Sequence, residues 1–154
     1  MISWQYLAGM IDADGSIGTT RTGANRNVVG RVIVANTNQE FLLKLKEHFG
    51  GSVSIRDKGA KPNWKPFGSI TWSNRQAEII LENVIPYLII KSEQAQLCLD
   101  LIRMRDLSKP QRYNYEKQKT SNRTTAVLKP EIRDTEEFIA SELNRLNKKG
   151  VEVI

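Results

Sequence analysis

The order of the predicted elements indicates an α+β protein with a four-stranded antiparallel sheet. Two observations predict this class: segments with helical hydrophobic periodicity alternate with paired strand-like segments, and the resulting order is αββαββα followed by a helical tail. The 154 residues and a hydrophobic fraction of 40% suit one domain with a real core. We therefore expect a single domain over residues 1–154, with its core at about 4–106 and a basic helical tail at about 107–154.

The first helix is predicted over residues 2–14, which are mostly apolar, contain no proline and precede Gly15. Strands are predicted at 16–22 and 27–35, with a turn at 23–25 between them. The second strand alternates, so that its two faces differ. One face carries Val28, Gly30, Val32 and Val34, and the other, predicted to point outward, carries Asn27, Val29, Arg31 and Ile33.

Thr37 and Glu40 form a capping box, which predicts a second helix to about His48. Its core stripe is Phe41, Leu42, Leu45 and Phe49, and Gly50-Gly51 ends it. A third strand at 52–57, a basic proline-containing connection at 58–67 and a fourth strand at 68–73 follow.

Ser73 and Gln76 are predicted to cap the third helix, which Pro86 breaks, and Ser92 to cap the fourth. The core residues of these helices are Ala77, Ile80, Leu81, Val84, Ala95, Cys98, Leu99 and Ile102. Residues 107–133 are polar and weakly periodic, which predicts loops and short helices. A last helix is predicted at about 135–147.

Basic residues are concentrated in three segments. Residues 15–35, 52–75 and 107–133 carry net charges of +3, +4 and +5, whereas the whole chain carries +6, so the remainder is acidic. Basic segments that alternate with acidic ones predict one positive face, which favours a polyanion such as nucleic acid. The alternative is that these are ordinary solvated lysines and arginines.

Several classes of protein are disfavoured by what the sequence contains. The sequence contains no run of 18 apolar residues, so no membrane span is predicted. Its start lacks the pattern of a signal peptide, and we therefore expect an intracellular protein. The single cysteine, Cys98, excludes an internal disulfide, and the single histidine, His48, makes a histidine-based nuclease or zinc site improbable.

The first helix contains the run Leu7-Ala8-Gly9-Met10-Ile11-Asp12-Ala13-Asp14-Gly15. Gly9 and Ala13 are four residues apart, so they share a helix face on which a second helix can approach closely. Asp12 and Asp14 stand at the C-terminal end, where a negative charge is unfavourable by about 0.3–1 kcal/mol. Two acids there suggest a bound cation; the alternative is a solvated Asp14 before a glycine cap.

This nine-residue run resembles the signature of the LAGLIDADG homing-endonuclease family, with Met10 in place of a leucine. The order of elements over about residues 4–106 is similar as well. The resemblance implies a site-specific endonuclease for intron homing, which uses Mg²⁺ or another divalent metal such as Mn²⁺ to cut both strands of a long, near-palindromic double-stranded DNA target. One motif per chain implies a homodimer, with Leu7, Gly9 and Ala13 at the interface.

Two alternatives to the endonuclease stay open. The first is an intron maturase or DNA-binding regulator of the same fold that does not cleave. The second is a generic basic α+β interaction module in which the first helix is ordinary core, and this alternative leaves the two C-terminal aspartates without explanation.

The resemblance also implies roles for individual residues. Asp14 is the implied metal ligand, assisted by the backbone carbonyl of Ala13, while Asp12 is a structural residue at the helix end. Lys91 stands in a segment similar to the family's Lys-x-x-Gln-Ala pattern, which implies a catalytic lysine that orients water or stabilises phosphate charge. Asn36 is a candidate catalytic residue that organises water, or equally a turn residue, and Asn38 and Gln39 compete with it.

A twisted antiparallel sheet that lies along the major groove presents alternate side chains to base edges. On the first strand the outward set is Ser16, Gly18, Thr20 and Thr22, while Arg21 has the opposite parity unless the strand bulges. Residues 56–59 also resemble a DNA-contacting stretch of the family. The predicted DNA-binding residues are Thr20, Arg21, Thr22, Arg26, Asn27, Arg31, Arg56, Lys58, Ser69, Thr71, Lys117 and Lys119, of which about half are expected to contact DNA. The tail residues Lys109, Arg112, Lys117, Lys119 and Arg123 suit phosphates.

Overall fold

The computed structural model describes residues 1–23, 26–56, 66–107, 113–117 and 124–148. Its elements are α1 (Trp4–Asp14), β1 (Gly15–Thr22), β2 (Asn27–Asn36), α2 (Gln39–Phe49), β3 (Ser52–Arg56), β4 (Phe67–Ser73), α3 (Arg75–Val84), α4 (Ser92–Leu107), β5 (Tyr113–Lys117), β6 (Thr124–Leu128) and α5 (Pro130–Lys148). A single 3₁₀ turn, Ile85–Tyr87, follows α3. None of the described helices is long and apolar enough to cross a membrane.

Strands β1 to β4 form an antiparallel sheet in the order β1-β2-β4-β3, which confirms the predicted fold class. Each of these four strands agrees with its predicted bounds to within one residue. Local alternation explains this agreement, because a period of two is visible in the sequence without knowledge of the strand's partners.

The core lies between one face of this sheet and helices α1 to α4. Ile17 is paired with Val32 and Val32 with Trp72 across three strands, and all three side chains are fully buried. Helix α1 adds Leu7 and Ile11 to the same core. The intervening positions of β4 are partly exposed, so the opposite face of the sheet is accessible.

Trp72 closes the end of α2. Its indole Nε1 donates hydrogen bonds to the carbonyls of Phe49 at 3.1 Å and Gly50 at 3.0 Å, which have no partners within the helix. Gly51 follows with a φ of +99°, and a Cβ there would lie 2.8 Å from Nε1. Gly50 thus ends the helix with a φ of +69°, and position 51 must be a glycine because the indole occupies the space that a side chain would need.

Of the three predicted caps, those of α2 and α3 are wrong, while α4 begins at Ser92 itself. Helix α2 is capped by Asn38, whose side chain accepts from the Phe41 N–H at 3.0 Å, and not by Thr37. Ser73 is paired with Arg31 in the sheet, so α3 is preceded by Asn74, which has a φ of +51° and makes no side-chain cap bond.

The tail contains a hairpin that was not predicted. Strands β5 and β6 pair antiparallel from Tyr113–Leu128 to Lys117–Thr124, so loops and short helices over all of 107–133 are wrong. Helix α5 begins at Pro130, five residues before its predicted start, and proline suits a first helical position. Its Leu143 is fully buried, and Asn147 Nδ2 donates to the Ile17 carbonyl on edge strand β1 at 3.0 Å.

Candidate active site and nucleic-acid interface

The C-terminal end of α1 is joined to the segment before α4 by two reciprocal sets of hydrogen bonds. The Asp12 carboxylate accepts from the backbone N–H groups of Ile89 at 2.7 Å, Ile90 at 3.3 Å and Lys91 at 3.0 Å. In return, Lys91 Nζ donates to the carbonyls of Ile11 at 2.7 Å, Asp12 at 2.8 Å and Gly15 at 2.8 Å. We call this arrangement the Asp12–Lys91 clasp.

The Lys91 ammonium is therefore the cation at the negative end of α1. It is a second donor to the Ile11 carbonyl, which also accepts from the Gly15 N–H, and it offsets the helix dipole. Burial lowers the pKa of the Lys91 ammonium from its ordinary value, while the negative charges of Asp12 and Asp14 oppose that shift. The predicted structural role of Asp12 at the helix end agrees with these contacts.

Asp14 has a different environment. It is the last residue of α1, and its side chain is exposed and makes no hydrogen bond to any described residue. The chain passes directly into β1 at Gly15, where a Cβ would lie 2.6 Å from the Ile11 Cα. A glycine is thus needed at the junction that leaves the Asp14 carboxylate open to solvent.

The oxygen donors at this junction suit a hard divalent cation. A carboxylate and a backbone carbonyl are ligands of the kind that Mg²⁺ takes, and Mg²⁺ uses one or two carboxylates with water and phosphate. Among the described residues, no group of three or more acidic, histidine or cysteine side chains is arranged so that it could hold a metal ion by itself. Asp14 and the Ala13 carbonyl fit part of such a coordination sphere, and the remaining ligands would come from outside this chain.

Asn36 lies two residues beyond Val34, which is paired with Gly15, so it is at the same end of the sheet as Asp14. Its Oδ1 accepts from the Asn38 N–H at 2.8 Å. This bond supports the turn interpretation of Asn36, because the turn places Asn38 at the start of α2.

Helix α1 presents the predicted small-residue face to solvent. Gly9 and Ala13 are exposed, and a Cβ built on Gly9 meets no atom within 4 Å. Leu7, in contrast, is fully buried in the chain's own core, so its assignment to a dimer interface is wrong. The reason is helical position: Leu7, Ala8 and Ile11 form the core-facing stripe of α1.

The exposed face of the sheet carries most of the predicted DNA-binding residues. Arg31 is flanked by Gly18 on β1 and Ser73 on β4, which are both small. The other predicted residues of the same parity are Thr20, Thr22, Asn27, Ser69, Thr71 and Arg56. Small and hydroxyl-bearing neighbours leave space in which an arginine can extend from the sheet.

Arg56 ends β3 opposite Phe67 on β4, and its guanidinium carbon lies 5.7 Å from the centre of the Phe67 ring. This contact, which sequence reasoning missed, holds the guanidinium at the rim of the exposed face. Arg26 lies in the turn before β2, is exposed and has a φ of +50°.

For some predicted DNA-binding residues, the side chain is not among the described parts of the structure. Lys117 lies on β5, whose backbone is described. The others are outside the described residues: Lys58, Lys109, Arg112, Lys119 and Arg123.

Arg21 and Val29 depart from their predictions. Arg21 is paired with buried Val28 in the sheet, and its guanidinium donates two hydrogen bonds to Glu137 on α5. Arg21 therefore lies on the helix-covered side, and its assignment to DNA binding is wrong because strand parity turns it away. Val29 has outward parity but is only 4% exposed.

Among the described residues, neither Cys98 nor His48 belongs to a group of three or more side chains that could hold a metal ion. Cys98 is buried in the core, and burial raises the pKa of its thiol to about 12. His48 is exposed near the end of α2, with Nδ1 3.1 Å from the Lys44 carbonyl, in the helix-end position that the sequence predicted.

No family model matches the sequence, and no curated protein is similar to it in sequence. Solved structures do resemble it. Homing endonuclease I-CvuI, in complex with its target in the presence of Ca, has a TM-score of 0.70 at 22% identity over 97% of this chain and 83% of that one. The archaeal intron-encoded homing endonuclease I-Vdi141I, complexed with DNA, has a TM-score of 0.68 at 17% identity over 98% and 87%.

A further structure extends this likeness. LAGLIDADG homing endonuclease I-GzeII, in complex with its DNA target, has a TM-score of 0.64 at 13% identity over 100% of this chain but only 50% of its own. The likeness therefore covers nearly all of this chain in three solved structures, which agrees with the nine-residue run in α1. The chain has the fold of the LAGLIDADG homing endonucleases.

Proposed function

We propose that this protein is a site-specific DNA endonuclease that acts as a homodimer with a divalent metal ion. The observation that carries the proposal is the Asp14 carboxylate at the end of α1, which is exposed and has no hydrogen-bond partner among the described residues, next to a helix face formed by Gly9 and Ala13. The similar solved structures, which contain DNA, support the same class of substrate.

Asp14 and the Ala13 carbonyl would hold the metal, with Mg²⁺ as the first candidate and Mn²⁺ as another. When bound, the ion would supply a more acidic attacking water and neutralise charge on the phosphate. The chain's own contribution is to present a carboxylate on a rigid junction and to keep the neighbouring Asp12 engaged with backbone N–H groups.

A homodimer follows from the need for two reaction centres to cut two strands. One chain contains one motif, so a second copy would have to supply the other Asp14. Close packing of α1 against its symmetry copy through Gly9 and Ala13 would bring the two centres together and produce a twofold interface. A twofold dimer suits a near-palindromic target, because each half-site would meet the same surface.

Recognition of the target would use the exposed face of the sheet. Arg31 and Arg56 can each make two hydrogen bonds to a guanine, and Ser69 and Thr71 can contact other base edges. Thr20, Thr22, Arg26 and Asn27 would extend the same surface. The tail lysines, including Lys117 and Lys119, would bind phosphates without reading the sequence. Intron homing and an intracellular location are part of the same proposal.

The test is a selection of cleaved sites from a randomised duplex library. Wild-type protein with Mg²⁺ is expected to enrich one long, near-palindromic site, and Ca²⁺ serves as the comparison ion. Asp14→Asn should bind the selected site with unchanged affinity but cut it at least 1,000-fold more slowly, since metal-assisted steps supply several kcal/mol. Asp100→Asn, an exposed acid on α4, is the matched control. Cleavage by Asp14→Asn at the wild-type rate would contradict the proposal.

A binding protein without cleavage, such as an intron maturase or a regulator, is the second candidate. One observation favours it: the Lys91 ammonium bonds three backbone carbonyls, so its donors are used within the chain. Selective binding of one site by the wild-type protein, with no products in Mg²⁺ or Mn²⁺, would decide for this candidate.

A further inference from the structure

We infer that Lys91 is a positioning residue: the Asp12–Lys91 clasp holds the Asp14 junction in place through the backbone, so that Lys91 does not act on the reacting atoms. The inference rests on the proposed function in one respect, since it takes Asp14 as a metal ligand. It revises the role that the sequence suggested for Lys91.

The side chain of Lys91 donates only to backbone carbonyls of its own chain among the described residues. An ammonium group has three N–H donors and no acceptor. The Lys91 Nζ lies within 2.8 Å of three carbonyl oxygens, those of Ile11, Asp12 and Gly15. Direct use of the lysine on water or phosphate would require at least one of these bonds to break.

The three carbonyls that accept from Lys91 belong to two different elements. Ile11 and Asp12 belong to the last turn of α1, and Gly15 is the first residue of β1. One ammonium therefore bridges the helix and the strand on either side of Ala13 and Asp14. Because the bridge spans the junction, the backbone that carries the Asp14 carboxylate and the Ala13 carbonyl cannot shift without losing hydrogen bonds.

Asp12, on α1, in turn binds the segment that carries Lys91. Its carboxylate gathers the N–H groups of residues 89–91, and this fixes the segment from which Lys91 extends. Each residue of the clasp thus orients the element on which the other depends. Supporting partners of this kind affect metal affinity by about 10- to 100-fold when they are removed.

A titration with Mn²⁺ alone separates positioning from simple electrostatics. Removal of a nearby positive charge would by itself tighten the binding of a cation. Loss of positioning has the opposite sign, so Lys91→Met is expected to weaken Mn²⁺ binding about 10-fold or more. Binding is followed in the free protein by the broadening of backbone amide NMR signals of residues 13–16.

Three further variants complete the experiment. Asp12→Asn should weaken Mn²⁺ binding by a similar factor, and the double variant should be no weaker than the worse single one, because both break the same unit. Lys91→Arg keeps the charge but has a planar fork that cannot converge on three carbonyls, so partial recovery is expected. Lys44→Met and Asp100→Asn, which remove the same charges from exposed positions of α2 and α4, should bind Mn²⁺ as wild type does.

The outcomes are distinct. Mn²⁺ affinity in Lys91→Met and Lys91→Arg that equals or exceeds that of wild type overturns the positioning role while leaving the metal site intact. No broadening at residues 13–16 in the wild-type protein overturns the metal site and the inference with it. With a selected target, slowed single-turnover cleavage in both Asp12→Asn and Lys91→Met supports positioning, whereas a defect confined to Lys91→Met overturns it. Thermal unfolding of each variant identifies any that fails to fold, and Lys91→Arg then carries the test.

Discussion

Asp12 and Asp14 are separated by one position in α1 but have opposite environments. Asp12 accepts three backbone hydrogen bonds, while Asp14 is exposed and makes none among the described residues. Residues two apart on a helix do not share a face, so one can point into the fold when the other points out of it. The motif thus combines a structural carboxylate with an available one.

The ion pair of Glu137 with Arg21 predicts an acid-dependent contribution to stability. The bidentate hydrogen bond from Arg21 lowers the pKa of the Glu137 carboxyl below its ordinary 4.5. The contribution is therefore present above pH 4.5 and is lost as the pH falls through the lowered value. Glu137→Gln should reduce the free energy of unfolding by at most about 1 kcal/mol at pH 7, since the pair is largely exposed.

Urea unfolding of wild type and Glu137→Gln at pH 7 and pH 3 checks this expectation, with the exposed Glu47→Gln as control. The difference between the proteins should be smaller at pH 3 than at pH 7. A destabilisation of the same size at both pH values would show that the side chain contributes through packing and not through its charge.

The arginines of the exposed sheet face should differ in effect from the tail lysines. Arg56→Ala or Arg31→Ala is expected to cost about 1–3 kcal/mol of specific binding and to relax preference at particular base pairs. Lys117→Ala should weaken all sequences alike and reduce the salt slope by about one unit. The guanidinium of Arg21 is bound to Glu137, so Arg21→Ala should leave base preference unchanged.

Binding of each variant to single-base target variants at several salt concentrations is the measurement. Uniform weakening by Arg56→Ala together with an altered base preference in Lys117→Ala would mean that the DNA lies on a different surface.

Helix α4 can lie close to strand β2 because residue 30 of the strand is a glycine. A Cβ on Gly30 would lie 2.9 Å from Cys98 Sγ and 2.9 Å from the Ile102 side chain. Gly30→Ala should therefore force the helix away from the sheet and lower the free energy of unfolding by about 1–3 kcal/mol.

Gly18→Ala on the adjacent strand is the matched control, because its Cβ would meet only Asn147 Nδ2, at 3.5 Å. Urea unfolding at one pH compares the two variants with wild type. Equal stability of all three proteins would show that α4 adjusts without loss.

The proposed activity requires two copies of this chain. Sedimentation with a palindromic target should show two chains per duplex. Gly9→Leu should weaken the dimer, because its side chain would project from the exposed face of α1, where a Cβ meets nothing in the single chain. Glu47→Leu, on the exposed surface of α2, is the control. One chain per duplex would contradict the dimer.

The sequence predicted the sheet, the helices and the available carboxylate, because each depends on local information. Strand parity placed Arg31, Ser69 and Thr71 on the exposed face, and the nine-residue run located Asp14. Two caps were predicted wrongly, since a neighbouring asparagine in one case and a sheet pairing in the other decided the helix start. The β5–β6 hairpin was missed because the hydrophobic pattern there is weak.

The kind and order of the main elements, and the residue types that carry the chemistry, can be inferred from the amino-acid sequence alone. Which of these groups have hydrogen-bond partners depends on the three-dimensional packing of the chain. Lys91 binds carbonyls up to 80 positions away and Arg21 binds an acid 116 positions away, so neither partnership leaves a local signal. Periodicity records how a segment faces the core, whereas hydrogen-bond partners depend on how distant segments meet, and at the end of α1 that meeting leaves Asp14 available.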